Sequence, residues 1–179
     1  HDNSVRTAWL DANRGFFNGT SVCLRVEGQE TSPHVLELPA SRAVAGWSVA
    51  TGLTPQKINA QGFGRYQASD YDELVDCPVE MGAFWSGSFT ARGVPHRFVV
   101  AGASASFDGA RLLADAQKIC EAEIRFWHGN KKPPHENYLF MLNAVDDGYG
   151  GLEHSNSTAL ICTRKDLPRL GDAKTSDGY

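Results

Sequence analysis

The sequence has no run of lysines or arginines, and none of its apolar stretches approaches the roughly 20 residues that cross a bilayer. With 179 residues and a net charge of -4, the first absence argues against a nucleic-acid partner and the second against a membrane span. The metal motifs are missing too. His135-Glu136 begins like the helical His-Glu-x-x-His of zinc enzymes, but Leu139 stands where the second histidine is needed. Pro133 and Pro134 immediately before it disfavour a helix interior there. The reversed order, His-x-x-Glu-His, would need histidine at Gly150. No Cys-x-x-Cys pair exists, so Cys23, Cys77, Cys120 and Cys162 read as buried free thiols rather than as zinc ligands, in keeping with a reducing compartment. Gly62-Phe63-Gly64 lacks the third glycine of a dinucleotide loop, and there is no phosphate-loop lysine. No signal-peptide pattern, internal repeat or low-complexity tract is present. The sequence begins at His1, so the missing leader says little about the parent protein.

What is there suits a globular protein with a substantial core: 41% hydrophobic and 21% charged residues. The patterning divides in two. Up to about Gly93 it is of β type. Residues 15–26 read as a hairpin turning at Asn18-Gly19, with Val22, Leu24 and Val26 alternating on the return. His34–Leu38, Trp47–Thr51 and Phe63–Ala68 read as strands, 52–62 as a loop, and 70–81 as an acidic, irregular stretch. Phe84–Thr90 and His96–Ala101 complete the strands. Then helical periodicity sets in. Ser104–Asp108 supplies capping residue types, and a helix is expected over 109–127. Leu112, Ala116, Ile119, Glu123 and Trp127 mark one face, widened by Leu113, Cys120 and Ile124. Strands at 138–145 and 158–163 should form the sheet beneath it, with a polar tail from Leu167 to Tyr179.

Five segments stand out chemically. Tyr149-Gly150-Gly151-Leu152-Glu153-His154 sets a carboxylate and an imidazole beside paired glycines, which let another backbone approach closely. Gly102-Ala103-Ser104-Ala105-Ser106 sits between a strand and a helix, where a nucleophile elbow would lie. Its last glycine is replaced by Ser106, and Asp146 or Asp147 with His154 would be the awkwardly spaced partners. A helix-capping loop is the plainer reading. Tyr71-Asp72-Glu73-Leu74-Val75-Asp76 lacks the spacing of a calcium loop and reads as a solvated acidic turn. Asn18-Gly19-Thr20 and Asn156-Ser157-Thr158 fit the short glycosylation pattern.

Several of these segments, in this order, resemble one family. They are Ser4-Val5-Arg6-Thr7-Ala8-Trp9-Leu10-Asp11, Gly15-Phe16-Phe17-Asn18-Gly19-Thr20-Ser21, the stretch from Asp70 to Gly82, Gly93-Val94-Pro95-His96, and Asp147-Gly148-Tyr149-Gly150-Gly151-Leu152-Glu153-His154 with Ser157-Thr158. The family is that of the glycyl aminopeptidases, metallopeptidase family sixty-one, which resemble thermolysin-like zinc peptidases with a β-rich domain in front. The resemblance implies an α+β fold: residues 1–92 as the end of an antiparallel β-rich domain, and 93–179 as the mixed sheet and long helix that open a thermolysin-like catalytic domain. It implies an internal fragment of a zinc-dependent aminopeptidase, with the zinc helix beyond Tyr179. No catalytic residue and no metal ligand would then lie in this chain, and no zinc would be bound to it alone. Its partners would be the rest of the parent chain and a peptide with a free amino terminus. The Gly-Gly-Leu-Glu-His segment is also similar to the Gly-x-Met-Glu-Asn exopeptidase segment of other zinc aminopeptidases. Carried over, Gly150, Gly151, Leu152, Glu153 and His154 bind substrate: the glycines line its edge, Glu153 receives its α-amino group, and His154 stands where that motif has asparagine. A serine acyl hydrolase using Ser104, or a non-catalytic β-rich binding module, are the alternative readings. A cytoplasmic setting is expected, a periplasmic one being the alternative.

Overall fold

The computed structural model describes residues 4–173. Its first half is built from two antiparallel sheets. One is ordered β1 (Ala8–Leu10), β2 (Arg14–Phe17), β7 (Val79–Gly82), β4 (Ser48–Thr51). The other is ordered β3 (His34–Leu38), β6 (Gly64–Ala68), β5 (Thr54–Ile58). Trp47, Val49, Leu53, Phe63, Tyr66, Leu74 and Val79 form a common core between them.

The second half is a five-stranded mixed sheet ordered β11 (Gly150–Glu153), β12 (Ser157–Thr163), β10 (Tyr138–Val145), β9 (Val94–Ala101), β8 (Trp85–Ala91). β9, β10 and β12 run parallel, and the edge strands β8 and β11 run antiparallel to their neighbours. Tyr138-Leu139-Phe140-Met141-Leu142 is apolar without alternation because β10 is central and covered on both faces. On one face Phe98, Val100, Leu142 and Ala144 meet Leu112 of the long helix α3 (Gly109–His128), which crosses from β9 to β10. On the other face Val99, Leu139 and Met141 pack with Ala50 of β4, and Ala159 packs with Val5 and Phe16. The mixed sheet is therefore a layer shared with the amino-terminal half, and the space between the two halves is set by that packing.

The α+β expectation holds in outline: antiparallel sheets first, then a mixed sheet with a 20-residue helix. Several local expectations fail. The hairpin over 15–26 does not form. Asn18 turns the chain by capping a short helix, α1 (Gly19–Val22), its side-chain oxygen accepting from the Thr20 amide, and β2 pairs instead with β1 and β7. The 52–62 loop contains β5, a fully exposed strand with no apolar alternation to reveal it. The acidic stretch is ordered: Asp70 caps α2 (Tyr71–Asp76), and β7 follows. On α3 only Gly109, Leu112 and Ile124 are buried, while Ile119 and Trp127 of the expected apolar face lie open to solvent. Among the thiols only Cys77 is buried; Cys23, Cys120 and Cys162 are half-buried, and all four are free. The tail bonds back to the helix entrance, with Leu167 and Pro168 buried. Its residues 174–179 lie outside those described.

Asp108 is the cap of α3, its carboxylate accepting the Arg111 amide at 3.0 Å. Asp108→Ala should lower the stability by about 1 kcal/mol, read as a shift in the urea midpoint with unchanged slope. A loss below a few tenths would mean that packing on the sheet alone holds the first turn.

Candidate functional site

The Gly-Gly-Leu-Glu-His segment is not the continuation of β10. The chain leaves β10 at Val145, turns through Asp146–Tyr149, and begins the separate strand β11 at Gly150. β11 is the outer strand of the sheet, paired to β12 only, in the register Gly150↔Ile161, Gly151↔Leu160, Leu152↔Ala159, Glu153↔Thr158. Among the described residues no strand pairs with its second edge. Alternation along the strand sorts the side chains. Leu152 is half-buried against Val5, Phe16 and Ala159, towards the amino-terminal sheet. Gly151 and Glu153 take the opposite face and are exposed.

The packing of this chain does not explain the glycines. A Cβ at Gly150 would meet nothing within 4 Å, and one at Gly151 would meet only the tip of Leu160. The missing side chains leave room beside an open strand edge. Glu153 has no hydrogen-bond or ion-pair partner among the described residues. Arg164, a basic residue close to it in sequence, donates to Asp146 and to the carbonyls of Gly102 and Ala144 at the far end of the sheet.

β11 borders a cleft of about 1310 Å³ between the two halves. The amino-terminal wall is α2 with its cap, and the other wall is Leu152–Asn156 together with Pro134–Asn137. Asp70, Asp72, Glu73, Asp76, Glu136 and Glu153 all line it, against a single guanidinium, that of Arg6. Such a cleft attracts cations. The acidic stretch that reads as a solvated turn, Asp76 included, is thus one wall of the cavity; Asn156 joins the site in a role its glycosylation pattern does not suggest, and Gly52 joins it without any local signal in the sequence.

His154 behaves unlike its neighbour. Its side chain is only 6% exposed, and its Nδ1 lies 3.0 Å from Asp76 Oδ1. The Ser155 amide donates to Asp76 Oδ2 at 2.9 Å. Burial works to raise the Asp76 carboxyl, and the hydrogen bonds from Ser155 and His154 outweigh it and hold the carboxyl below its ordinary range. Asn156 Nδ2 donates to the Gly52 carbonyl at 2.9 Å. Tyr138 donates to the Ser157 carbonyl at 3.0 Å, and burial, then the nearby Cys120, Glu153 and Asp76, push its phenol up to about 12. Cys77 is likewise pushed to about 12, by burial and then by Asp76 and Glu73, so it is a poor nucleophile.

Ser104 has its hydroxyl 3.1 Å from that of Ser106, and its carbonyl accepts the Phe107 amide. It follows the carboxyl end of β9, whereas His154 precedes the amino end of the parallel β12, so roughly seven residues at 3.3 Å each, about 23 Å of strand, separate the two ends. Asp146 is taken by Arg164. Among the described residues no base bonds to Ser104. Asn18 is 3% exposed and caps α1, and the amide of Asn156 is bonded into the interface, so neither glycosylation pattern presents a free asparagine. Among the described residues no group of three or more His, Cys, Asp or Glu could hold a metal ion, and no helix is long and apolar enough to cross a membrane.

Comparison with known proteins gives concordant results. Residues 1–83 match the peptidase M61 N-terminal domain. An aminopeptidase N family protein from Idiomarina loihiensis is 41% identical, with a TM-score of 0.93 over 99% of this chain and 30% of that one. An M1 zinc metallopeptidase from Deinococcus radiodurans aligns at TM-score 0.52 and 14% identity, over 87% of this chain and 37% of its own. Aminopeptidase A of Legionella pneumophila, solved with aspartic acid, aligns at 0.54 and 12%, over 99% and 22%. The last two likenesses speak to the fold alone. No curated protein gives a match. The chain therefore spans under a third of the length of the Idiomarina protein.

Proposed function

Because this chain carries the N-terminal domain of the peptidase M61 family over residues 1–83, we propose that it is the substrate-receiving part of a zinc-dependent aminopeptidase. One observation carries the reading: an open strand edge with unfilled glycine positions, bearing an unpartnered carboxylate, beside an acidic cleft. An extended peptide adds to such an edge through main-chain hydrogen bonds, which give affinity without side-chain specificity. Gly150 and Gly151 admit its backbone. Glu153 meets the cationic α-amino group, and a carboxylate is suited to that because charge-assisted hydrogen bonds are about twice as strong as neutral ones. Leu152 anchors the strand from behind.

The residues described here do not fit a zinc site. The metal would then be held by the part of a longer protein that the Idiomarina relative has beyond this match. The expected result on the full-length protein is loss of aminopeptidase activity with a chelator and recovery with zinc. The 179-residue chain alone should show neither activity nor tight zinc binding, since a catalytic zinc needs about three protein ligands and an open position. Activity that a chelator leaves untouched in the full-length protein would refute the reading. Chelator-sensitive cleavage by this chain alone would refute the assignment of the metal to another segment.

A further inference from the structure

We infer that Asp76 is a positioning residue for the substrate edge: from across the cleft it fixes the turn His154–Asn156, and through that turn the placement of β11 and Glu153. The inference rests on the reading of Glu153 as the group that receives the amine.

The geometry is that of a two-sided clamp. β11 has one sheet partner, β12, and the turn joining them is gripped by the amino-terminal half. Both oxygens of Asp76 are used, one by His154 Nδ1 at 3.0 Å and one by the Ser155 amide at 2.9 Å. A side chain bonding two consecutive residues fixes the direction of the chain as well as its distance. Asn156 adds a third point through the Gly52 carbonyl at 2.9 Å. Gly52 is itself shaped to this contact, since a Cβ there would stand 2.2 Å from Asn156 Oδ1. Glu153 is the residue directly before the clamp. An edge strand without it would swing about its single ladder, and a carboxylate on it would lose its registry with the opposite wall.

The clamp also separates the two polar residues of the segment by role. The His154 ring is turned into the interface and Glu153 is turned out of it, so His154 acts through Asp76 rather than on the peptide. The turn is held at some expense: His154 Nε2 and Ser157 Oγ are buried without hydrogen-bond partners among the described residues. Groups left so are costly, and they persist where surrounding structure over-determines them. Each oxygen of Asp76 accepts one bond from this turn, so the carboxylate is oriented towards His154 and Ser155.

The test is a double-mutant cycle in the full-length protein, read as kcat/KM on matched peptides with free and blocked amino termini. Asp76→Ala is expected to lower kcat/KM on free-amine peptides about tenfold, mainly through KM, the size that coupling between linked residues reaches. Blocked peptides should change less than about twofold. With Glu153→Gln already in place, Asp76→Ala should add less than about twofold, because the two act as one unit. If Asp76→Ala does not fold at the assay temperature, Asp76→Asn replaces it. That variant keeps an acceptor for the Ser155 amide and removes the charge facing His154, so a smaller loss with the same selectivity is expected. Multiplicative losses in the double variant, or equal losses on free and blocked peptides, overturn the positioning role while leaving the reading of Glu153 intact. No effect from Glu153→Gln alone overturns that reading, and the inference with it.

Discussion

Glu153→Gln should lower kcat/KM on peptides with a free amino terminus by about ten- to a hundredfold. The substitution keeps the shape of the side chain and one carbonyl acceptor and removes only the charge. Hydrogen bonds to charged groups contribute about 1.5–3 kcal/mol, which is the quoted range of rates when the contact is made to the reacting substrate. A bland reading of the same residue gives a different number. A strand-edge ion pair on the surface is worth at most about 1 kcal/mol, and the structure has already given the neighbouring Arg164 other partners. Glu153 is exposed, on the outer strand, and has no partner among the described residues to lose, so Glu153→Gln should leave the unfolding midpoint nearly unchanged while the kinetics fall. The discriminating comparison is between free and acetylated peptides of one sequence, with the loss confined to the former. Equal losses on both, or no loss on either, would remove Glu153 from the amine site.

What was legible in the sequence follows from the range of the forces that decide each element. The helix over 109–127 and the strand over 138–145 were readable because periodicity and capping are local: Asp108 caps within three residues, and the apolar run of β10 announces a strand covered on both faces. The segment Gly150–His154 was recognisable as unusual, but its status as a separate edge strand depends on pairing with β12. The hairpin expected at Asn18-Gly19 is absent for a reason of the same kind. Asn-Gly favours a two-residue turn, but asparagine also caps helices, and here Gly19 lies against Val75 and Leu74 of α2, so that packing of α1 on α2 decided between the two uses. β5 has no alternation because both its faces are open, so nothing local marks it. The cleft was the least legible part. Asp76 and His154 are 78 residues apart and Asn156 and Gly52 are 104 apart, and no spacing rule links such positions. The outward turn of Ile119 and Trp127 shows the opposite limit: the stripe is periodic as a helix requires, but periodicity alone does not say which of its positions find a partner, and only Leu112 and Ile124 of it are buried.

The second large effect belongs to the first sheet. Glu80 on β7 is 1% exposed and is held by Arg14 of β2 through two bonds, Nε to Oε1 at 2.8 Å and Nη2 to Oε2 at 2.7 Å. Burial pushes the Glu80 carboxyl up to about 7, and the Arg14 guanidinium opposes that rise. Arg14→Met keeps much of the apolar stem and strands the carboxylate. Breaking one side of a buried pair costs about 3–5 kcal/mol, because an uncompensated charge remains. For a chain of this size that is a fall in Tm of roughly 10–15 °C. The pH dependence has a defined sign. Glu80 binds its proton more tightly folded than unfolded, so the stability its neutral form contributes is complete below the ordinary value of 4.5 and is lost as pH rises towards about 7. Without Arg14 the folded value climbs further and the loss extends above that window. Arg14→Met should therefore be milder at pH 5 than at pH 8 in thermal unfolding. Adding Glu80→Leu should recover most of the deficit, since replacing both members of a buried pair by apolar groups is often neutral. A penalty that is the same at both pH values, or a double variant no more stable than Arg14→Met, would show that Arg14 supports the sheet by packing over Phe16, where its guanidinium sits 5.0 Å from the ring centre, rather than by neutralising Glu80.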